Sequence, residues 1–123
     1  MDINFSAEDI AFRDEVRAFF AKEYNSEAAT RLADNHDADY KGAITAWQKK
    51  LHAKGWIAPG WPKEYGGTGW SSTQKFIFET ERGLAGVPDV IPFGLKMVAP
   101  VIYTFGTEEQ KARFLPRILN SED

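Results

Sequence analysis

A chain of 123 residues suits one compact domain, and at that length folding buries roughly two-thirds of the unfolded surface; 43% hydrophobic and 14% aromatic content excludes a disordered polymer. Fifteen basic and eighteen acidic residues leave a net charge of −3 with no basic run of five or more, so no nucleic acid partner is expected. The absence of cysteine excludes a disulfide framework, a thiolate nucleophile and any Cys-based zinc site, and His36 and His52 stand too far apart for a helical ligand pair, so no metal is expected.

The N-terminus, Met1-Asp2-Ile3-Asn4, lacks the basic-then-apolar pattern of a signal peptide, and no apolar run reaches the ~18–20 residues that span a bilayer. A cytoplasmic protein without a membrane partner is the expectation. A first helix is predicted over residues 6–23. Ser6 with Asp9 has capping-box spacing, Phe5 and Ile10 can staple the entry, and Phe12, Val16, Phe19 and Phe20 recur at helical intervals. Residues 25–38 are polar, and Ser26 can cap a short helix through Ala33. A clearer helix runs from Tyr40 to Lys54, with Ile44, Trp47, Gln48 and Leu51 on one face. Gly55 then supplies a left-handed stop and Trp56 a contact back to Leu51.

From Trp56 to Gly69 two prolines and four glycines exclude a regular helix or a central strand. Trp56, Trp61 and Tyr65 argue instead for an ordered loop packed down by its own aromatic rings. Ser71 with Gln74 opens another helix, carrying Phe76, Ile77, Glu79, Thr80 and Leu84 to a break at Gly86, Val87 and Pro88. From Pro92 to Phe105 the chain is almost wholly apolar and carries only Lys96 as a charge, the pattern of a helix buried on more than one side, and Pro100 should kink it and free the Lys96 carbonyl. Gly106 ends that helix. Thr107 with Gln110 caps the last one, which holds Phe114, Leu115, Ile118 and Leu119 and is bent or restarted at Pro116. With no strand pattern and no repeat, the fold class is all-α: five to six helices in an orthogonal or up-down bundle.

No catalytic constellation stands out. Gly66, Gly67 and Gly69 follow an aromatic loop rather than a strand, which favours turn glycines with positive φ over a phosphate cradle. Glu79 and Glu81, two apart on a helix, point to different sides and are read as solvated charges. His52, near a helix end, suits the C-terminal dipole or plain exposure, His36 sits in a polar loop, and neither has a nucleophile nearby.

The order of landmarks resembles the acyl-CoA dehydrogenase family over essentially the whole chain. The resemblance is carried by Gly55-Trp56 leading to Pro59, by Trp61-Pro62-Lys63-Glu64-Tyr65-Gly66-Gly67 and Gly69, and by Met97-Val98-Ala99-Pro100. Phe105-Gly106-Thr107-Glu108-Glu109-Gln110-Lys111 through Phe114-Leu115-Pro116 completes it. Within the family the chain is similar to the large-subunit type of bacterial pimeloyl-CoA dehydrogenase, with mycobacterial steroid side-chain dehydrogenases as a second close type. The resemblance implies the N-terminal helical domain of a three-part enzyme, residues 1–123, ending at Asp123 where the family enters its first β strand. The middle β domain and the C-terminal helical domain, with the flavin-contacting segment and the carboxylate base, are then absent, so no residue here is expected to be catalytic or to bind FAD.

The implied reaction of the parent is oxidation of an acyl-CoA thioester to the trans-2-enoyl-CoA, with FAD as hydride acceptor. The fragment by itself is expected to be inactive. The implied partners are the acyl-CoA, the chain's own missing domains, further subunits in a homo- or hetero-tetramer, and electron-transfer flavoprotein or a similar acceptor. By position, Asp89, Val90, Phe93, Gly94 and Met97 match the family's pocket-lining stretch, and Phe93 and Met97 lie one turn apart on one helix face. Asp89 at a tunnel end would repel an ω-carboxylate unless Lys96 offsets it; as a loop or cap residue after Pro88 it has no such role. A free-standing helical interaction module using the 92–105 surface is the alternative.

Overall fold

The computed structural model describes residues 5–32, 40–90 and 93–121. Among these the chain is all-helical, with six α-helices and no strand: α1 (Ala7–Glu23), α2 (Ser26–Leu32), α3 (Tyr40–Lys54), α4 (Ser72–Ala85), α5 (Ala99–Phe105) and α6 (Glu108–Leu119). A 3-10 turn (Lys63–Tyr65) interrupts the aromatic loop, and a π-helical segment (Phe93–Val98) runs directly into α5. No helix among the described residues is long and apolar enough to cross a membrane. The backbone divides into two compact units, one of Met1–Asp34 with Trp70–Pro88, the other of Asn35–Gly69 with Asp89–Asp123.

In the first unit α1 packs on α4. Ser6, Ser71 and, in the second unit, Thr107 each form a complete capping box with the side chain three residues on, which satisfies two otherwise orphaned N–H groups per helix. The short α2 starts one residue earlier than its sequence suggests, at Ser26, and the Asn25 side chain accepts the N–H of Ala28 at 3.0 Å. Phe12, Val16 and Phe20 are buried from α1, Ile77 and Phe78 from α4. Their rings form a chain, Phe12 to Trp70 at 5.0 Å, Trp70 to Phe78 at 5.1 Å and Phe78 to Phe20 at 5.6 Å. Burying each such side chain is worth about 1.5–3 kcal/mol, and edge-on aromatic pairs add to it.

One expectation for α4 needs correction. Its buried stripe is Ile77, Phe78 and Glu81, while Phe76 and Leu84 are exposed. Glu81 is therefore not a solvated charge: it is 7% exposed, and its two oxygens accept from Arg17 Nε at 2.9 Å and Nη2 at 3.0 Å. A carboxylate survives burial there because a guanidinium fork matches its geometry and charge. Glu79 does face solvent, in an ion pair with Arg82. Arg82 also donates to the Val87 carbonyl at 2.9 Å and so helps close the end of α4, beyond which Gly86 adopts φ 72°.

In the second unit α3 buries Ala43, Ile44, Trp47, Gln48 and Leu51. Its ending follows the sequence closely: Gly55 at φ 86° donates to His52 O, and Trp56 N donates to Leu51 O, both at 2.9 Å. Those two bonds are the paired closure of a Schellman end. His52 is exposed there, and His36 lies outside the described residues. The loop beyond is ordered as expected, with Trp56, Ile57, Ala58 and Trp61 buried. Helix α6 runs unbroken through Pro116 and buries Leu115, Ile118 and Leu119, leaving Phe114 exposed under Arg113.

Candidate functional site

The apolar run after Pro92 is not one kinked helix. It is a π-helical segment followed by a fresh α-helix, with Pro100 in the first turn of α5, where a missing N–H costs least. In i→i+5 register the partner of the Leu95 carbonyl would be the nitrogen of Pro100, which carries no hydrogen. The structure fills that vacancy from the loop: Trp61 Nε1 donates to Leu95 O at 2.7 Å in a buried bond. The Trp61 ring also stands 6.0 Å from that of Tyr103 on α5, so one side chain brackets both sides of the joint. Tyr65 stacks on Tyr103 at 6.1 Å with ring planes 14° apart. Lys111 of α6 then closes the row, donating to the Tyr65 hydroxyl at 3.1 Å and to Glu108 at 3.2 Å, with Nζ 5.3 Å from the Tyr65 ring centre. The bond to Tyr65, then that to Glu108, hold the Lys111 ammonium above its ordinary pKa. Arg17 in the first unit is raised in the same sense, chiefly by its bond to Glu81.

With its inner side fastened, this element leaves an uncovered outer side. Leu95 and Ala99 are buried, but Met97 is 58% exposed, Val101 58% and Phe105 83%, with Val98 beside them. Met97, Val101 and Phe105 succeed one another at four-residue intervals, so they make a stripe rather than scattered apolar groups. The expectation of burial on more than one side is thus met on one side only.

Of the five residues matched to the pocket stretch, Asp89 and Val90 precede this element in sequence, and Phe93, Gly94 and Met97 belong to its π-helical segment. Asp89 is exposed; its Oδ1 accepts from Val90 N at 2.8 Å, and its Oδ2 pairs with Lys96 Nζ at 2.6 Å. Lys96 therefore does meet Asp89, and the carboxylate is locally neutralised. Val90 is half-buried. Phe93 opens the π-helical segment. Gly94 approaches α6 so closely that an added Cβ would lie 3.1 Å from Ile118 Cγ2, so it contributes backbone surface and no side-chain bulk. Met97 leaves more than half of its surface uncovered.

The glycines of the loop serve it and form no cradle. Gly66 (φ 106°) and Gly69 (φ 68°) have the expected positive φ. Gly67 does not; it is needed because a Cβ there would overlap the Trp61 carbonyl. The space beside Gly66 is filled by Leu119 and that beside Gly69 by Lys63, so these residues do not fit a flavin or its phosphates. Among the described residues, no group of His, Asp and Glu is placed to hold a metal ion.

Sequence reasoning found the loop's aromatics and the anomaly at Pro100 but not the bond that joins them. Sequence spacing pointed to the Lys96 carbonyl as the one that Pro100 frees, whereas the carbonyl that Trp61 meets in the π register is that of Leu95.

An all-helical chain with this aromatic-glycine loop, capped α6 and proline-interrupted apolar element belongs to the acyl-CoA dehydrogenase family: the profile described as acyl-CoA dehydrogenase, N-terminal domain, matches residues 6–122. Among its relatives, acyl-CoA dehydrogenase FadE26 of Mycobacterium tuberculosis is 38% identical over 122 residues, which is 96% of this chain and 30% of that protein. A chain of the ChsE4-ChsE5 complex from Mycobacterium tuberculosis superposes with a TM-score of 0.75 at 37% identity, over 99% of this chain and 30% of the other. A chain of the Tcur3481-Tcur3483 steroid ACAD gives 0.75 at 33% identity, over 99% and 31%. The chain thus spans less than a third of the length of these relatives.

Proposed function

We propose that these 123 residues are the N-terminal helical domain of an FAD-dependent acyl-CoA dehydrogenase, and that they wall its acyl pocket without taking part in the chemistry. The parent oxidises an acyl-CoA thioester to the trans-2-enoyl-CoA, with flavin and catalytic carboxylate supplied by parts of the protein outside these residues. The observation that carries the reading is the exposed stripe headed by Met97, on an element that is otherwise firmly held from behind. Such a stripe suits a surface completed by further domains and an apolar ligand. Asp89, Val90, Phe93, Gly94 and Met97 are the proposed lining. The Asp89–Lys96 pair would give the polar end of that wall no net charge. Assembly with a second subunit and electron delivery to an electron-transfer flavoprotein belong to the same proposal, the first supported by relatives that are solved as two-component complexes.

The test is made on the full-length gene product, with straight-chain, dicarboxylyl and steroid side-chain acyl-CoA thioesters and an artificial electron acceptor. Met97→Trp should shift preference towards shorter or slimmer acyl groups, raising KM for bulky ones with little change in kcat for small ones. An unchanged preference profile removes Met97 from the pocket. Dehydrogenation or bound flavin absorbance from the 123-residue chain alone would overturn the assignment of the chemistry to other parts.

A further inference from the structure

We propose that Trp61 is the positioning residue of this wall: its indole N–H replaces the backbone donor that Pro100 lacks and so sets the register in which Met97 faces outward. The inference rests on the pocket-wall reading for its functional meaning, though not for its geometry.

Four observations converge on it. The π-helical segment ends at the point where proline removes the next i→i+5 donor, and a wide helical turn left with an open carbonyl would be free to tighten to α register. Tightening by one residue per turn would rotate position 97 by about 100° around the helix axis, the angle between neighbouring residues of a 3.6-residue turn. The Trp61 indole meets that carbonyl at 2.7 Å in a buried bond, where an unmet acceptor is costly. The same ring lies against Tyr103 beyond the joint, so its grip spans the discontinuity rather than one side of it. The loop is itself built to deliver this side chain: Tyr65 N and Gly67 N both donate to Pro62 O, and Gly67 has no side chain because the Trp61 carbonyl occupies the space.

The chain holds two methionines, Met1 and Met97, so methyl-13C methionine labelling reports on the wall through the Met97 methyl resonance. Trp61→Phe keeps an aromatic ring and deletes the donor. It should displace the Met97 methyl signal, leave the Met1 signal in place and preserve helical circular dichroism. It should also lower Tm by less in the Pro100→Ala background, where a backbone N–H is again available to the segment, than in the native chain. An unmoved Met97 signal, or the same loss of Tm in both backgrounds, overturns the proposal. Should Trp61→Phe fail to fold, the unaltered chain still decides: the Trp61 indole proton should exchange slowly and show a through-hydrogen-bond correlation to the Leu95 carbonyl carbon, and its absence refutes the bond. None of these readouts involves acyl-CoA, so a pocket reading that fails in the substrate assay leaves this result standing, and the reverse.

Discussion

Arg17 and Glu81 form a two-pronged ion pair across 64 positions of sequence, in which the carboxylate is buried and the guanidinium half-exposed. The asymmetry predicts unequal consequences. Arg17→Ala strands a buried carboxylate, whereas Glu81→Gln leaves an arginine that water can reach. Urea unfolding should show Arg17→Ala as clearly the more damaging of the two. Equal losses would mean that Glu81 finds another donor.

Gly67 faces the Trp61 carbonyl with no room for a methyl group. Gly67→Ala should cost about 3 kcal/mol or more, the upper end of single-substitution effects, because the clash is with backbone that cannot rotate away. Gly83→Ala, where a Cβ meets nothing within 4 Å and the residue lies inside α4, should instead be neutral or stabilising by up to about 1 kcal/mol. Thermal unfolding of the two variants side by side checks the contrast.

The Lys111 ammonium is held above its ordinary pKa of 10.5 by Tyr65 and then Glu108. A group whose folded pKa is raised contributes stability that is complete below the unfolded value and disappears as pH climbs through the folded one. The Lys111 contribution should therefore be flat from neutral pH up to about 10 and vanish only at stronger alkali. Lys111→Met should show a smaller alkaline decline than the native chain. An identical decline in both excludes the Tyr65–Lys111 contact as a stabilising element.

The outer stripe and the inner face of the same element should respond in opposite ways. Phe105→Ser, at a position 83% exposed, should change stability by no more than about 0.5 kcal/mol and reduce binding of a hydrophobic dye. Leu95→Ala, at a buried position, should cost about 2–5 kcal/mol. Strong destabilisation by Phe105→Ser would show that the stripe is already covered.

Much of this fold was legible because its signals are local. Three capping boxes, the Gly55–Trp56 closure of α3 and the limits of α1, α3 and α6 each depend on residues within one or two turns. Asn25 displaced Ser26 as the cap of α2 because both residue types serve and only backbone geometry chooses between them. What the sequence could not disclose depends on distant partners. Glu81 reads as a surface charge until Arg17 is known to lie across from it, and burial on α4 falls on Ile77, Phe78 and Glu81 while Phe76 and Leu84 stay exposed. The π register needs a donor 34 residues away, so helical periodicity alone predicts a kink at Pro100 instead of a new start. Of the candidate lining, the stretch was found through family likeness; the ion pair of Asp89 with Lys96 and the exposure of Met97 emerged only in three dimensions.

Gly94 and Ile118 meet so closely that a Cβ added at residue 94 would lie 3.1 Å from Ile118 Cγ2, which would have to give by a few tenths of an ångström. The two positions therefore share a single allotment of volume. Enlarging residue 94 presses on Ile118 Cγ2, an atom that Ile118→Val would keep and Ile118→Ala would remove, so Gly94→Ala should be relieved by Ile118→Ala and not by Ile118→Val. Homologues that remodel this corner should exchange bulk between the two sites while conserving their sum.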